Sequence, residues 1–409
     1  MTVNPTVATL FFCGLLGPGM AVVRSGQSYQ VNLTAPDGLQ NSFTVHEPLE
    51  FDTEADYAVV IQGHGMGSSR DQTGDDPFNA ALRSAGYYVV SFDQRGHGES
   101  GGDVEMMNPD SDGDYLLQIL NFVRNGSTGD QLPVIKLKRD CGTGIVTNNT
   151  DCVGAIGYSY GGMFQFLLSA IDPEGSIKAM VPEIAPYDLL NSFAPNSIDR
   201  SAWSVLLSDT RDDPQLRNWT QEARQTGSTP QQAEVAFLYH SFRYFCDEEL
   251  ASLVDPELYP EDSDFRPSGR YQAGSYPGNN ILHWSSPYDN LFPLNEEYNA
   301  VKCNKAKGGN SRYFSYGSGH GGRFANIPSV VNDGGPGTLT SQNCGPISRP
   351  GATLAWFTEY LQGVPGAFAA FTVAQGFPDF EVYCHYLSLG RAAITRDMRE
   401  GGMLAETNE

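Results

Sequence analysis

The sequence is poor in basic residues: 25 lysines and arginines stand against 48 aspartates and glutamates, a formal charge of −23. A surface of that sign repels phosphate backbones, which argues against nucleic acid as a partner. No uninterrupted apolar run reaches the roughly 18 residues that a membrane-spanning helix needs. The seven cysteines (13, 141, 152, 246, 303, 344 and 384) form no C-x-x-C pair and no cysteine–histidine cluster at zinc spacing. Nothing therefore calls for a metal or another cofactor. Internal repeats and low-complexity tracts are also missing. The stretch TVATLFFCGLLGPGMAVV (6–23) has the length and small residues of a signal h-region, but no basic residue precedes Arg24. It reads either as an atypical signal or as a buried first strand.

What is present is a rhythm. Residues 28–50 read as an extended hairpin turning at PDG. Then YAVVIQGHGMGSS (57–69) is an apolar strand running into a Gly-rich loop, FNAALRSAG (78–86) a short helix, and YYVVSFDQRGHGES (87–100) the next strand and loop. DYLLQILNFVRNG (114–126) carries a helical apolar stripe. Alternation of this kind predicts a mostly parallel sheet with helices on both faces. From 191 to 276 the rhythm changes to helical stretches without strands between them, and it resumes at NNILHWSSPYDNLFPL (279–294) and SRYFSYGSGHGG (311–322). The expected organisation is an N-terminal segment (1–26), a core from 27–190 and 277–365, a helical insertion at 191–276, and a C-terminal extension (366–409).

Within this rhythm, IGYSYGGMFQF (156–166) places Ser159 between glycines, after a small apolar strand and before a helix. That is the G-x-S-x-G elbow, a turn that lifts a serine hydroxyl clear of a sheet. A serine hydroxyl needs a histidine to take its proton, and the histidine needs an acid to orient it. Chain order in such folds is serine, acid, histidine. Of the histidines after Ser159, His320 lies in GSGHGG directly after a strand, whereas His240, His283 and His385 read as packed or solvated. Asp289, in SPYDNLFPL, follows the strand before it. Two N–H donors for a developing oxyanion are expected from Tyr160, the residue after the serine, and from Met66 in the loop GHGMG (63–67). His64 in that loop reads as structural. Asp93 and Arg95 are expected to tie their loop together as an ion pair. Cys141 and Cys152 flank the loop GTGIVTNNTD and are expected to be bonded, which fits an oxidising, secreted setting.

Taken in order, HGMGSS, FDQRGHGESGG, GYSYGG, AMVPEIAPYD, DNLFP and GSGHGG resemble the α/β-hydrolases of the Xaa-Pro dipeptidyl-peptidase and cocaine-esterase type over about Tyr57 to Gly363. The resemblance implies an α/β-hydrolase fold with a helical cap inserted before the acid-bearing strand. It also puts Ser159, Asp289 and His320 on the family's triad positions. Many such proteins add a C-terminal jelly roll that helps build the substrate pocket. Too little chain follows His320 for its eight strands. The expected activity is therefore hydrolysis of carboxylic esters, small or polymeric, through an acyl-enzyme. An Xaa-Pro peptidase is the alternative, and a non-catalytic binding protein a remote one. The peptidase would need a carboxylate for a substrate ammonium, which FCDEELASLVDPELYPEDSD (245–264) could offer, although so dense an acidic cluster reads first as a solvated face.

Overall fold

The computed structural model describes residues 23–125, 135–142, 149–198, 204, 214–254, 256–259, 266–286, 289, 291–315, 320, 338–341, 345–375 and 382–383. The signal-like stretch 6–22, His385 and Cys13, Cys344 and Cys384 lie outside them.

Thirteen strands and ten α-helices are described. The strands are β1 (Val23–Ser25), β2 (Ser28–Thr34), β3 (Gln40–His46), β4 (Glu50–Asp52), β5 (Val59–Gly63), β6 (Tyr88–Phe92), β7 (Val153–Tyr158), β8 (Ile177–Glu183), β9 (Asn280–Ser285), β10 (Asn310–Ser315), β11 (Thr338–Ser341), β12 (Gly345–Ser348) and β13 (Val382–Tyr383). The helices are α1 (Pro77–Ser84), α2 (Asp112–Asn125), α3 (Tyr160–Ile171), α4 (Leu189–Phe193), α5 (Pro214–Thr226), α6 (Gln231–Tyr239), α7 (Phe242–Cys246), α8 (Leu294–Ala306), α9 (Arg349–Tyr360) and α10 (Ala367–Ala374).

Nine strands make one sheet in the order β13-β10-β9-β8-β7-β5-β6-β3-β2. From β13 to β6 every neighbour is parallel, and β3 and β2 close the other edge as an antiparallel hairpin. Parallel strands are buried on both faces, so they read as continuous apolar runs. Successive side chains then divide between two cores. Val59, Ile61, Tyr88, Val90, Val153 and Ala155 face one. Ala58, Val60, Tyr87, Val89, Cys152 and Ile156 face the other.

Leu116, Ile119, Leu120 and Val123 of α2 repeat at helical spacing and pack into the first core. So does α3, which is buried nearly all round. Ala352, Trp356, Phe357 and Tyr360 of α9 fill the second core. The chain between β8 and β9 carries α4 to α7 and lies over the first core, where Phe242 stacks on Phe166 of α3 at 4.2 Å between ring centroids. Strand order, parallel register and helices on both faces make this the α/β-hydrolase arrangement. Helix α10 packs on α9, where a Cβ on Gly351 would meet the Phe371 ring at 2.8 Å, and β13 extends the sheet beside β10.

Among the described residues two disulfides are formed. Cys141 pairs with Cys152, as the loop between them led us to expect. Cys246 of α7 pairs with Cys303 of α8, across 57 residues of sequence. The expected Asp93–Arg95 pair is not made. Asp93 turns inward beneath Arg70, with which it forms a fully buried ion pair. Arg95 turns outward to Glu105 at 3.1 Å and Asp37 at 2.6 Å. Asp93 thus ties its loop to the one after β5, and Arg95 ties it to the turn between β2 and β3 at Asp37.

Candidate active site

The carboxyl ends of the parallel strands all open on the same edge of the sheet, where open α/β sheets form their crevices. Ser159 follows β7, the loop 64–67 follows β5, Asp289 follows β9 and His320 lies beyond β10.

Ser159 sits at φ 55° and ψ −123°, between the last residue of β7 and the first turn of α3. A non-glycine residue there is strained, and hydrogen bonds hold it from both sides. Its N–H donates to the Glu183 carbonyl at 2.8 Å, and its own carbonyl accepts from Gly162 at 2.7 Å and Met163 at 3.1 Å. The flanking glycines are required by packing. A Cβ on Gly157 or on Gly161 would fall on the carbonyl oxygen of Gly63, because β5 and β7 pair Gly63 with Gly157 and the helix start lies directly above.

The structure brings Ser159, His320 and Asp289 together. Ser159 Oγ is 2.9 Å from His320 Nε2, and His320 Nδ1 is 2.7 Å from Asp289 Oδ2. The other carboxylate oxygen, Oδ1, accepts the N–H groups of Leu291 and Phe292, each at 2.8 Å. The Asp289 side chain is fully buried, so backbone amides fix its orientation with little help from solvent. The Phe292 ring meets the His320 imidazole edge to face, 5.1 Å between centroids. No sequence signal marks that contact.

Tyr160 opens α3, where helix N–H groups point outward. Met66 lies in the turn after β5, partly buried against the first core. The remaining histidines occupy other places. His64 is buried, with Nδ1 on the Gly65 carbonyl at 2.8 Å and Nε2 accepting the Gln94 N–H at 3.2 Å. Burial pushes the pKa values of His240 and His283 down to about 3, so both are neutral packing groups. His283 Nδ1 lies 2.8 Å from Glu297 Oε2, and burial raises the Glu297 pKa well above the usual carboxylate range. Tyr158 leaves the elbow nearly half exposed. Its phenol pKa is raised by partial burial and by the carboxylates of Glu183 and Asp76, which keeps it neutral.

Of the acidic stretch 247–249, Glu248 and Glu249 are exposed, and nearby Asp188 is engaged by Arg243 at 2.8 Å. Among the described residues no cluster of three or more His, Cys, Asp or Glu side chains could hold a metal ion. Also among them, no helix is long and apolar enough to cross a membrane.

The family model for X-Pro dipeptidyl-peptidase (S15 family) matches residues 27–254. That span contains the Met66 loop and the Ser159 elbow and ends before Asp289 and His320. No curated protein matches the sequence. Among solved structures the chain is similar to an acylaminoacyl peptidase from Pyrococcus horikoshii, at 15% identity and a TM-score of 0.45, covering 73% of this chain and 38% of that one. An esterase from Pyrococcus furiosus aligns at 19% identity and a TM-score of 0.42, covering 73% of this chain and 85% of that one. A puromycin hydrolase aligns at 16% identity and a TM-score of 0.47, covering 83% of this chain and 40% of that one. The chain thus spans less than half the length of the acylaminoacyl peptidase and of the puromycin hydrolase.

Proposed function

We propose, from the premise that this chain belongs to the X-Pro dipeptidyl-peptidase (S15) family of hydrolases, that it cleaves carboxylic esters through an acyl-enzyme on Ser159. The observation that carries the reading is the unbroken relay from Ser159 Oγ through His320 to Asp289, at 2.9 and 2.7 Å. Asp289 accepts at Nδ1, which leaves Nε2 to take the serine proton. Ser159 Oγ then bonds to the ester carbonyl carbon, and the oxyanion that forms is held by the N–H groups of Tyr160 and Met66. Collapse expels the alcohol, protonated by His320. A water molecule activated by the same imidazole adds to the acyl carbon and releases the acid. The chemistry needs no metal ion.

An ester expels an alkoxide that needs little assistance, whereas an amide requires a well-timed proton from His320. An N-terminal peptidase also needs a desolvated carboxylate for the substrate ammonium. The exposure of Glu248 and Glu249 argues against either as that carboxylate, and nearby Asp188 is already engaged by Arg243. The family match favours the second reading, an Xaa-Pro peptidase. Purified protein assayed on short-chain p-nitrophenyl esters and on Xaa-Pro anilides separates the two. The esters are expected to turn over at least tenfold faster by kcat/KM, and faster anilides would make the enzyme a peptidase. Two disulfides support an oxidising, extracytoplasmic setting. Thiol counting on protein from its native compartment tests it, and seven free thiols would refute it.

A further inference from the structure

The loop after β5 and the loop after β6 exchange histidines. His64, in the first loop, accepts the N–H of Gln94 in the second at 3.2 Å. His97, in the second, accepts the N–H of Gly67 in the first at 3.1 Å. Each ring's other nitrogen faces a carbonyl oxygen, Gly65 at 2.8 Å for His64 and Arg95 at 3.0 Å for His97. A carbonyl only accepts and a backbone N–H only donates. Both imidazoles are therefore fixed in the neutral form that carries its proton on Nδ1. The rings lie 5.1 Å apart, and His97 also packs against the Tyr160 ring at 5.7 Å. Gln94 adds a bond from its side-chain amide to the His64 carbonyl. Met66 is thus gripped on both sides, by His64 before it and by Gly67 after it.

We propose that His97 is a positioning residue for the oxyanion hole. It holds the Met66 turn through the Gly67 N–H while its ring packs against Tyr160, so that the two donors keep a fixed separation. The proposal rests on the hydrolase reading above and extends it to a residue that touches no substrate. Donors aimed at a developing oxyanion act only when held in place beforehand. A loosened turn should therefore weaken transition-state binding and leave ground-state binding nearly unchanged.

Two variants separate positioning from stability. His97→Asn can keep the bond to the Arg95 carbonyl but is too short to accept from Gly67. His97→Gln can bring an amide oxygen to the Gly67 N–H. With a p-nitrophenyl ester, His97→Asn is expected to lower kcat at least tenfold with KM within threefold. The Ki of a boronic acid, whose adduct on Ser159 fills the oxyanion position, should rise in parallel. His97→Gln should return within threefold of the wild type. If His97→Asn keeps kcat and Ki within twofold, or His97→Gln recovers nothing, the proposal is wrong. Nitrogen-15 NMR of the unmodified protein decides the matter even if the variants fail to fold. His97 should appear as the neutral Nδ1–H tautomer, and an Nε2–H tautomer or an imidazolium would overturn the clamp. A wild-type protein that a fluorophosphonate labels on another serine removes the Ser159 reading and the clamp together. Labelling on Ser159 with an indifferent His97→Asn removes the clamp alone.

Discussion

At Ser159 the chain holds a residue with a Cβ at φ 55°, a backbone state that costs on the order of 1–3 kcal/mol. The bonds to Glu183, Gly162 and Met163 hold it there, so the side chain is dispensable for the turn and needed only for chemistry. Ser159→Ala is therefore expected to fold normally and to lose roughly 10⁴- to 10⁶-fold in kcat. Mass spectrometry after fluorophosphonate treatment should place the adduct on Ser159, and activity persisting in Ser159→Ala would contradict the assignment. Asp289 argues differently. Its Oδ1 is fixed by two amides and only Oδ2 meets the histidine. Asn in its place can keep the amide contacts while presenting an N–H to Nδ1, which favours the wrong tautomer. Asp289→Asn should cost kcat about 10⁴-fold, with little change in thermal unfolding, and should regain part of the rate at high pH. A variant that unfolds instead would make Asp289 structural.

Helix α8 joins several of these parts. It begins shortly after the Asp289 turn, and its first turn buries Glu296. Glu296 Oε2 accepts the N–H groups of Tyr187 at 3.0 Å and Asp188 at 2.7 Å, at the entry to α4, and Oε1 accepts from the Asn191 side chain. Burial, with Asp188 nearby, pushes its pKa from an ordinary 4.5 up to about 7. A carboxyl that holds its proton more tightly when folded favours the native state while protonated. That contribution is present below about pH 4.5 and is lost as pH rises through 7. Glu296→Gln should therefore gain on the wild type between pH 5 and pH 8, by on the order of 2–3 kcal/mol in urea unfolding. No change in the difference with pH would place the carboxyl near its ordinary value. The same helix carries Cys303, bonded to Cys246 of α7. In the loop-entropy model a crosslink over 57 residues stabilises by about 4 kcal/mol and one over 11 residues by about 3. Cys303→Ala should thus lower the unfolding midpoint more than Cys152→Ala does, and the reverse order would show that local packing outweighs chain entropy.

Across the whole molecule the charge of −23 sets a field that no single contact reports. At low ionic strength that field reaches tens of ångströms, falling to about 8 Å at physiological salt. An ester bearing a remote carboxylate should therefore be disfavoured against its neutral analogue in dilute buffer. The ratio of their kcat/KM values should rise severalfold between roughly 10 and 150 mM salt. A flat ratio would mean that the crevice is locally neutral and that the acidic surface serves solubility alone.

Much of this was legible in the sequence because it is local. Apolar runs and helical stripes mark β5, β6, β7, α2 and α3, and the glycines around Ser159 announce the turn whose crowding against Gly63 requires them. The order of serine, acid and histidine pointed to Ser159, Asp289 and His320, each beside a strand end, and the loop between Cys141 and Cys152 indicated its own closure. Tertiary structure decided what depends on partners far along the chain. Asp93 chose Arg70 rather than Arg95, Cys246 met Cys303 across the helices between β8 and β9, and β13 joined β10 at the sheet edge. The bonds by which His64 accepts the Gln94 N–H and His97 the Gly67 N–H belong to the same class. The physical reason is that periodicity and turn chemistry record what a segment does with its own backbone. The pairing of buried charges, imidazoles and distant thiols is set only when the fold brings their loops and helices together.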